Sequence, residues 1–313
     1  MKILKKCDIC NSKDFKPLYK LNDKATGLEG EFFLFKCNKC GVIFINPQPS
    51  FAELRKYYEG GYYSLKKIIA KEESKKARFR IFLYNLYFNE KSMGTLKKII
   101  FYPIKNYLRG TIISNDKKIL DVGSGSGQFL YEMKELGMNA YGTEPGDFNK
   151  ESARQYNLNI KNKDLISSRY PKNFFDIITL SQVLEHTPNP ADTIRELYRI
   201  LAKNGTLIIG VPNTNSLAYK IFGKNWYQLD VPRHLFDFSD KILIKKLEKE
   251  GFRIQKVRYI SRPTQFTISL KYLLKIKKTN KIGVIMDALF TPLTYFCNIL
   301  KKGDSVEIWC TKD

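Results

Sequence analysis

Three sets of residues in this chain have the types and spacing that chemistry requires. The first is two cysteine pairs, Cys7-Asp8-Ile9-Cys10 and Cys37-Asn38-Lys39-Cys40. Each pair can form a tight knuckle that aims two thiolates at one point, and Gly41 suits the turn after the second. Two such pairs joined by a short linker have the layout of a tetrahedral zinc ribbon. With four sulfur ligands no coordination position stays open, so the metal expected on Cys7, Cys10, Cys37 and Cys40 is structural. The second set is Gly123, Gly125 and Gly127, with Asp121 ahead of them and Glu144 beyond. Glycines let a backbone approach a ligand closely, and a carboxylate at the next strand end can accept from a ribose diol. The third set is the chain's only two histidines, His186 in VLEH and His234 in VPRHLFDFS. Histidine changes charge near neutral pH and suits the removal of a proton from an acceptor.

The elements that must position these groups are legible from periodicity. Ile119-Leu120-Asp121-Val122 is a short apolar run of the kind that forms a strand buried on both faces. Phe129, Leu130, Met133 and Leu136 recur at helical spacing after the glycines, and Ala140 to Thr143 makes a second strand ending at Glu144. This strand, glycine turn, helix, strand unit reads as the binding site of a nucleoside-bearing small molecule. Downstream the expected order is a helix over Asp147–Tyr156, a third strand at Asn159–Lys161, a fourth at Phe174–Leu180, a helix at Asp192–Leu201 and a fifth strand at Gly205–Val211. A helix at Asp240–Lys249, ended by Gly251, and strands at Arg253–Ile260 and Ser305–Cys310 complete the sheet. Pro263–Lys302 is too long for a hairpin and must form extra helices. Upstream, Phe32–Phe35 and Val42–Ile45 read as ribbon strands, and Ser50 as the cap of a helix through Leu54 to Tyr58. Leu65 to Leu108 reads as basic, aromatic helices that either pack over the ligand site or meet a membrane surface. The resulting division is a zinc-ribbon lobe at 1–50, a helical cover at 51–114 and a catalytic domain at 115–313 with a helical insertion at 263–302.

The dinucleotide fingerprint needs a glycine at position 128, where this chain has Gln128. The order Asp121, Gly123, Gly125, Gly127, with Glu144 after the second strand, instead resembles motif I of the class I S-adenosylmethionine-dependent methyltransferases. VLEH after strand four, LDVPRHLFDFS before the next helix and the two cysteine pairs together resemble a branch with an amino-terminal four-cysteine zinc lobe. Members of that branch often serve pathways for surface glycans and other secondary products. The resemblance implies an α/β fold, a Rossmann-like seven-stranded sheet with a small zinc lobe and extra basic, aromatic helices. It implies S-adenosylmethionine held by Asp121, Gly123, Ser124, Gly125, Gly127, Glu144 and Pro145, with Asp164, Leu165, Ser181 and Gln182 completing the site. Asp164 has two readings, an acceptor from the adenine amine or a helix cap.

Composition bounds the partners. The 313 residues can bury a large core, and the net charge of +23 favours phosphates, nucleic acid or anionic lipid, unless it reflects only a lysine-rich genome. No signal peptide is visible in MKILKKCDIC, and Ile282–Leu300 is interrupted by Asp287, Pro292 and Asn298. The expected location is cytoplasmic, with peripheral contact at an anionic inner membrane face. Cys297 and Cys310 read as ordinary buried thiols.

The expected activity is methyl transfer to a small-molecule or glycan hydroxyl, the glycan being nucleotide- or lipid-linked. His234 is the expected base or substrate ligand, assisted by His186, with Arg233 and Asp230 either fixing the substrate or pairing within the loop. Glu185, His186 and His234 together could also hold a metal that activates a hydroxyl, as in a subset of class I methyltransferases. Trp226 and Tyr227 either wall the acceptor pocket or pack in the core. A sugar C-methyltransferase is the nearest alternative. A nucleic-acid methyltransferase is disfavoured because SQVLEH stands where base-amine methylation shows an Asp/Asn-Pro-Pro-aromatic motif. A non-enzymatic polyanion-binding scaffold is disfavoured by the intact glycine turn. The sequence leaves the oligomeric state open.

Overall fold

The computed structural model describes residues 1–58, 68–72, 74–89, 97, 108–146, 150–276 and 280–313. Much of the basic, aromatic cover expected over Leu65–Leu108, and the start of the helix expected at Asp147, lie outside these residues. Within the cover, α2 (Lys75–Phe88) forms as anticipated, capped by the Ser74 hydroxyl.

The amino-terminal lobe is built on β1 (Phe15–Leu21), β2 (Phe32–Cys37) and β3 (Ile43–Ile45), followed by α1 (Phe51–Tyr58). β1 was not anticipated: its alternation is broken at Pro17, where the register with β2 also shifts. Ser50 starts α1 as a reciprocal cap, its hydroxyl accepting from Glu53 N while the Glu53 carboxylate accepts from Ser50 N.

The large sheet begins with β4 (Lys118–Val122), which leads through the glycine turn into α3 (Gln128–Glu135) and β5 (Asn139–Thr143). α4 (Lys150–Gln155), β6 (Asn159–Lys161), β7 (Phe175–Ser181), α5 (Pro190–Ile200) and β8 (Leu201–Pro212) follow. Pro190 fits the first turn of α5, where its missing N–H is no loss, and Ala191, Ile194, Leu197 and Ile200 bury one face against the sheet. α6 (Leu217–Phe222), a two-residue β9 (Phe236–Asp237) and α7 (Asp240–Lys249) lie between β8 and β10 (Phe252–Ile260). The long insertion resolves into α8 (Thr264–Leu274) and α9 (Asn280–Ile299), and β11 (Ser305–Lys312) closes the sheet.

Among the described residues the large sheet has seven strands in the order β10-β11-β8-β7-β4-β5-β6. β6 to β8 run parallel, and β11 is antiparallel to both neighbours. Strand order reverses between β4 and β7, and in open α/β sheets ligands bind at the carboxyl ends of the strands at such a point. A second sheet joins the lobe to the half built on the large sheet: its order is β1-β2-β3-β9, so the loop after β8 supplies its last strand. One buried apolar cluster runs through both, from Leu34 and Phe44 to Phe236, Leu180 and Ile209.

Candidate functional site

The glycine turn lies at the reversal point. Gly123, Gly125 and Gly127 have φ of 66°, 52° and 80°, a region open to glycine and strained for other residues. A Cβ on Gly123 would also stand 2.5 Å from the Val183 side chain, so this position excludes alanine twice over. Gly123 N and Ser124 N donate to the Thr143 carbonyl at 2.8 and 3.0 Å, pinning the turn to the end of β5. Gly125 N donates to the Glu144 carboxylate at 2.8 Å. Burial raises the Glu144 pKa, opposed by the hydrogen bonds from Gly125 and Gly146. The Ser124 hydroxyl oxygen is buried without a partner, a polar atom a ligand could satisfy. These features fit a nucleoside-bearing cofactor.

Other expected cofactor residues take up different positions. Asp121 is fully buried beneath the turn, and its carboxylate is occupied by a bidentate ion pair with Arg109 and by the Thr179 hydroxyl at 2.8 Å. Arg109 also lies over the Phe129 ring at 4.2 Å. Asp121 therefore sets the floor of the turn and has no carboxylate oxygen turned to a ligand. Asp164 closes a turn and caps no helix: its oxygens accept from Ser167 N at 2.9 Å and Ser167 Oγ at 2.6 Å. Burial alone would raise the Asp164 pKa, but these bonds carry it below the usual carboxylate value. Pro145 is exposed and Leu165 buried. Ser181 and Gln182 sit half-buried at the end of β7, with Gln182 at a φ of 56° and its N–H given to the Gly210 carbonyl.

The turn after β7 and the loop after β8 bring a second set of groups together. Ligand atoms of Glu185, His186 and His234 all lie within 4.8 Å of one another. The imidazoles meet edge to face, their centroids 4.6 Å apart. His186 Nδ1 is 2.9 Å from the Arg233 carbonyl and His234 Nδ1 is 2.8 Å from that of Gln228. A carbonyl only accepts, so each Nδ1 carries a proton and each Nε2 is left for other work. Tyr58 from α1 places its hydroxyl 3.1 Å from His186 Nδ1. Glu185 is fully buried, and neither carboxylate oxygen has a partner. Burial pushes Glu185 up to about 7, and burial together with the neighbouring His234 pushes His186 down to about 3. Burial alone would also lower His234, but Asp237, Asp230 and Glu185 carry it up to about 9.

Arg233 does not join this cluster. Its side chain is completely shielded, with Nη2 on Asp23 at 2.9 Å and on Asp230 at 2.6 Å, and Nη1 on the Tyr57 carbonyl at 3.1 Å. Of the readings open for Arg233 and Asp230, the structure shows pairing within the loop and across to the lobe. Trp226 is buried against Tyr219, while it and Tyr227 also line a small pocket with Asp230 and Tyr272. The sequence reading missed Arg109, Thr179, Tyr58 and Asp23. Thr179, Tyr58 and Asp23 lie 58, 128 and 210 positions from the residues they hold, and Arg109 lies 12 from Asp121 in a connecting segment, so no local spacing reveals such pairs.

In the lobe the four expected cysteines converge. Cys7 Sγ and Cys40 Sγ are 3.7 Å apart, and Cys10 Sγ and Cys37 Sγ are 3.5 Å apart. Four sulfurs about 2.3 Å from one tetrahedral ion stand about 3.8 Å from each other, whereas a disulfide brings two to about 2.05 Å. Each knuckle closes the same way: Asn11 N donates to Cys7 O and Gly41 N to Cys37 O, at left-handed residues with φ of 60° and 84°. The cluster is compatible with zinc.

A mostly parallel seven-stranded sheet, with an antiparallel strand next to its edge and a glycine turn where strand order reverses, defines the class I methyltransferase fold. A family model described as a methyltransferase domain matches residues 99–257, about half of the chain, and the chain belongs to that family. Similar proteins include a ubiquinone biosynthesis O-methyltransferase of Pseudomonas aeruginosa (strain UCBPP-PA14), 28% identical over 131 residues. That match covers 39% of this chain and 56% of the relative. The corresponding protein of Saccharophagus degradans is 26% identical over 166 residues, covering 49% of this chain and 70% of the relative. Among solved structures, a SAM-dependent methyltransferase from Archaeoglobus fulgidus is 21% identical with a TM-score of 0.44, covering 74% of this chain and 99% of that one. The chain thus spans little more than half the length of the first of these curated relatives.

Proposed function

We propose that the protein transfers the methyl group of S-adenosylmethionine to a hydroxyl of a small-molecule acceptor, with a glycan hydroxyl as one form of that acceptor. The observation that carries the reading is the Glu185–His186–His234 cluster, on the turn after β7 and the loop after β8, to one side of the glycine turn. S-adenosylmethionine supplies an electrophilic carbon: the acceptor oxygen–carbon bond forms as the carbon–sulfur bond breaks. The glycine turn and Glu144 hold this donor, Glu144 through the ribose hydroxyls and Ser124 through its free Oγ. The acceptor hydroxyl must give up its proton as it attacks, and an imidazole Nε2 takes it; for His234 this requires the ring first to release the proton that Asp237, Asp230 and Glu185 hold on it up to about pH 9. The two backbone carbonyls on Nδ1 fix ring orientation beforehand, which spares reorganisation during the reaction. The names of the Pseudomonas and Saccharophagus relatives support oxygen as the atom methylated.

A second reading of the same cluster is a divalent cation held by Glu185, His186 and His234. The unpartnered buried carboxylate beside two imidazoles anchored through Nδ1 favours it, since metal-binding histidines donate their other N–H to such carbonyls. The ion would lower the pKa of a bound hydroxyl. In the lobe, zinc on Cys7, Cys10, Cys37 and Cys40 has a structural role.

The test uses methyl-labelled S-adenosylmethionine with a panel of catechol and sugar acceptors. Glu144→Ala should weaken donor binding about 10- to 100-fold, the loss of charge-assisted hydrogen bonds. His234→Ala should leave donor affinity intact and slow transfer by about 10²–10⁴-fold. Unchanged donor affinity in Glu144→Ala, or unchanged turnover in His234→Ala, would refute the assignment.

A further inference from the structure

Helix α9 is amphipathic in the reverse sense. Two of its polar residues face the protein: Asp287 accepts from the Thr267 hydroxyl of α8 at 2.6 Å, and Thr294 is buried. Its exposed residues are apolar or aromatic at every position from 284 to 300. Val284, Ile285, Leu289, Phe296 and Ile299 are between 54% and 77% exposed. At 100° per residue the exposed positions within the helix fall in an arc of about 140°, a continuous stripe along the helix. Leu273, Leu274 and Ile276, also about half exposed, extend the patch at the end of α8. No helix among the described residues is long and apolar enough to cross a membrane.

Lysines border the stripe: among the described residues Lys271 and Lys275 precede it and Lys301 and Lys302 follow it. From residue 264 to 303 the sequence carries seven lysines against one acid, Asp287, which is turned inward. A second copy of this chain seated on the stripe would bring two such lysine rims together in a molecule of net charge +23. A surface that accepts an apolar stripe and welcomes a lysine rim is an anionic lipid bilayer.

We infer that α8 and α9 form a monotopic docking surface, with the apolar stripe in the acyl boundary and the lysines among anionic head groups. Docking there sets the acceptor side of the molecule next to the bilayer. Tyr227 N donates to the Ser269 hydroxyl of α8 at 3.1 Å, and Tyr272 of α8 lines the pocket that contains Asp230. Asp230 in turn lies 4.0 Å from His234 Nε2. A hydrophobic acceptor could then pass from the lipid to the histidines without crossing water. This last step rests on the function proposed above, whereas the docking itself does not.

The full chain is mixed with vesicles of phosphatidylcholine alone or of phosphatidylcholine with phosphatidylglycerol, and binding is read by co-sedimentation. Binding to the anionic vesicles, reduced by high salt, is the expected result. The double variant Leu289→Glu/Phe296→Glu should bind about a hundredfold more weakly, since it puts charge where two apolar side chains were buried. Both positions are exposed, and circular dichroism and S-adenosylmethionine affinity should match the unaltered protein. Binding by the double variant as tight as the parent's, or a parent that stays in the supernatant with anionic vesicles, overturns the inference. So does a parent dimer that the double variant breaks while vesicle binding stays the same. Vesicle binding by a protein that fails to bind S-adenosylmethionine would leave the docking surface standing and remove the proposed activity.

Discussion

The Arg233 guanidinium and the Asp23 carboxylate, both completely shielded from solvent, meet at 2.9 Å across the seam between the amino-terminal lobe and the loop that carries His234. Their residues are 210 positions apart. The adjacent Phe44–Phe236 pair in β3 and β9 joins the same two regions by backbone pairing and ring stacking, with centroids 6.0 Å apart. The lobe therefore supports the loop on which the candidate chemistry stands. Asp23→Ala should destabilise the protein by about 3–5 kcal/mol, because it leaves a buried guanidinium with only part of its compensation. Urea unfolding measures this, and a loss below about 1 kcal/mol would show that Asp230 and the Tyr57 carbonyl suffice.

Because the lobe and the loop share one sheet, metal loss should be felt at a distance. Titrating the four thiolates with an organomercurial should release one zinc ion per chain, detectable with a colorimetric chelator. Structural zinc contributes about 10–16 kcal/mol of apparent binding energy in small zinc domains, so the lobe should unfold on release. Loosening of β9 should then lower methyl transfer even though no cysteine approaches His234. Full activity after stoichiometric zinc release would separate the two halves functionally.

What could be foreseen followed from local pattern. The strand, glycine turn and helix around Gly123 were legible because glycine spacing and apolar periodicity are properties of adjacent residues. The zinc knuckles were legible for the same reason. The role of Asp121 was not, because its partners Arg109 and Thr179 come from a connecting segment and from β7, and only folding reveals that its charge is already satisfied. Strand β1 escaped because Pro17 interrupts its alternation, and β9 because two residues carry no periodicity at all. The fourth strand runs one residue further than expected, to Ser181, because that residue pairs with Gly210 of β8. The fifth starts four residues earlier than expected, at Leu201, where it meets Phe175 before the register shifts. Glu185, His186 and His234 could be named together from the sequence, but their convergence depends on the turn after β7 meeting the loop after β8.

The His234 environment gives a pH signature with a definite sign. Its pKa in the folded, metal-free protein is carried from 6.5 up to about 9 by Asp237, Asp230 and Glu185, which outweigh burial. A group whose folded value is raised contributes stability that is fully present below its unfolded value and is lost as pH rises through its folded value. The neighbours titrate lower: Glu185 near 7, Asp237 near 6 and His186 near 3. Glu185 completes its ionisation in the lower part of the interval from pH 7 to 9, and His234 is the member of this cluster that changes charge through the rest of it. Stability measured in a chelating buffer should fall over that interval by about 3 kcal/mol at most, the free energy of a shift of this size. His234→Gln carries no such proton, so its unfolding free energy should be flatter from pH 7 to 9 than the parent's. Equal slopes would mean that the carboxylates around His234 do not hold its proton. Added divalent cation offers a further discrimination, because an ion bound through Nε2 excludes that proton and should flatten the parent's slope as well.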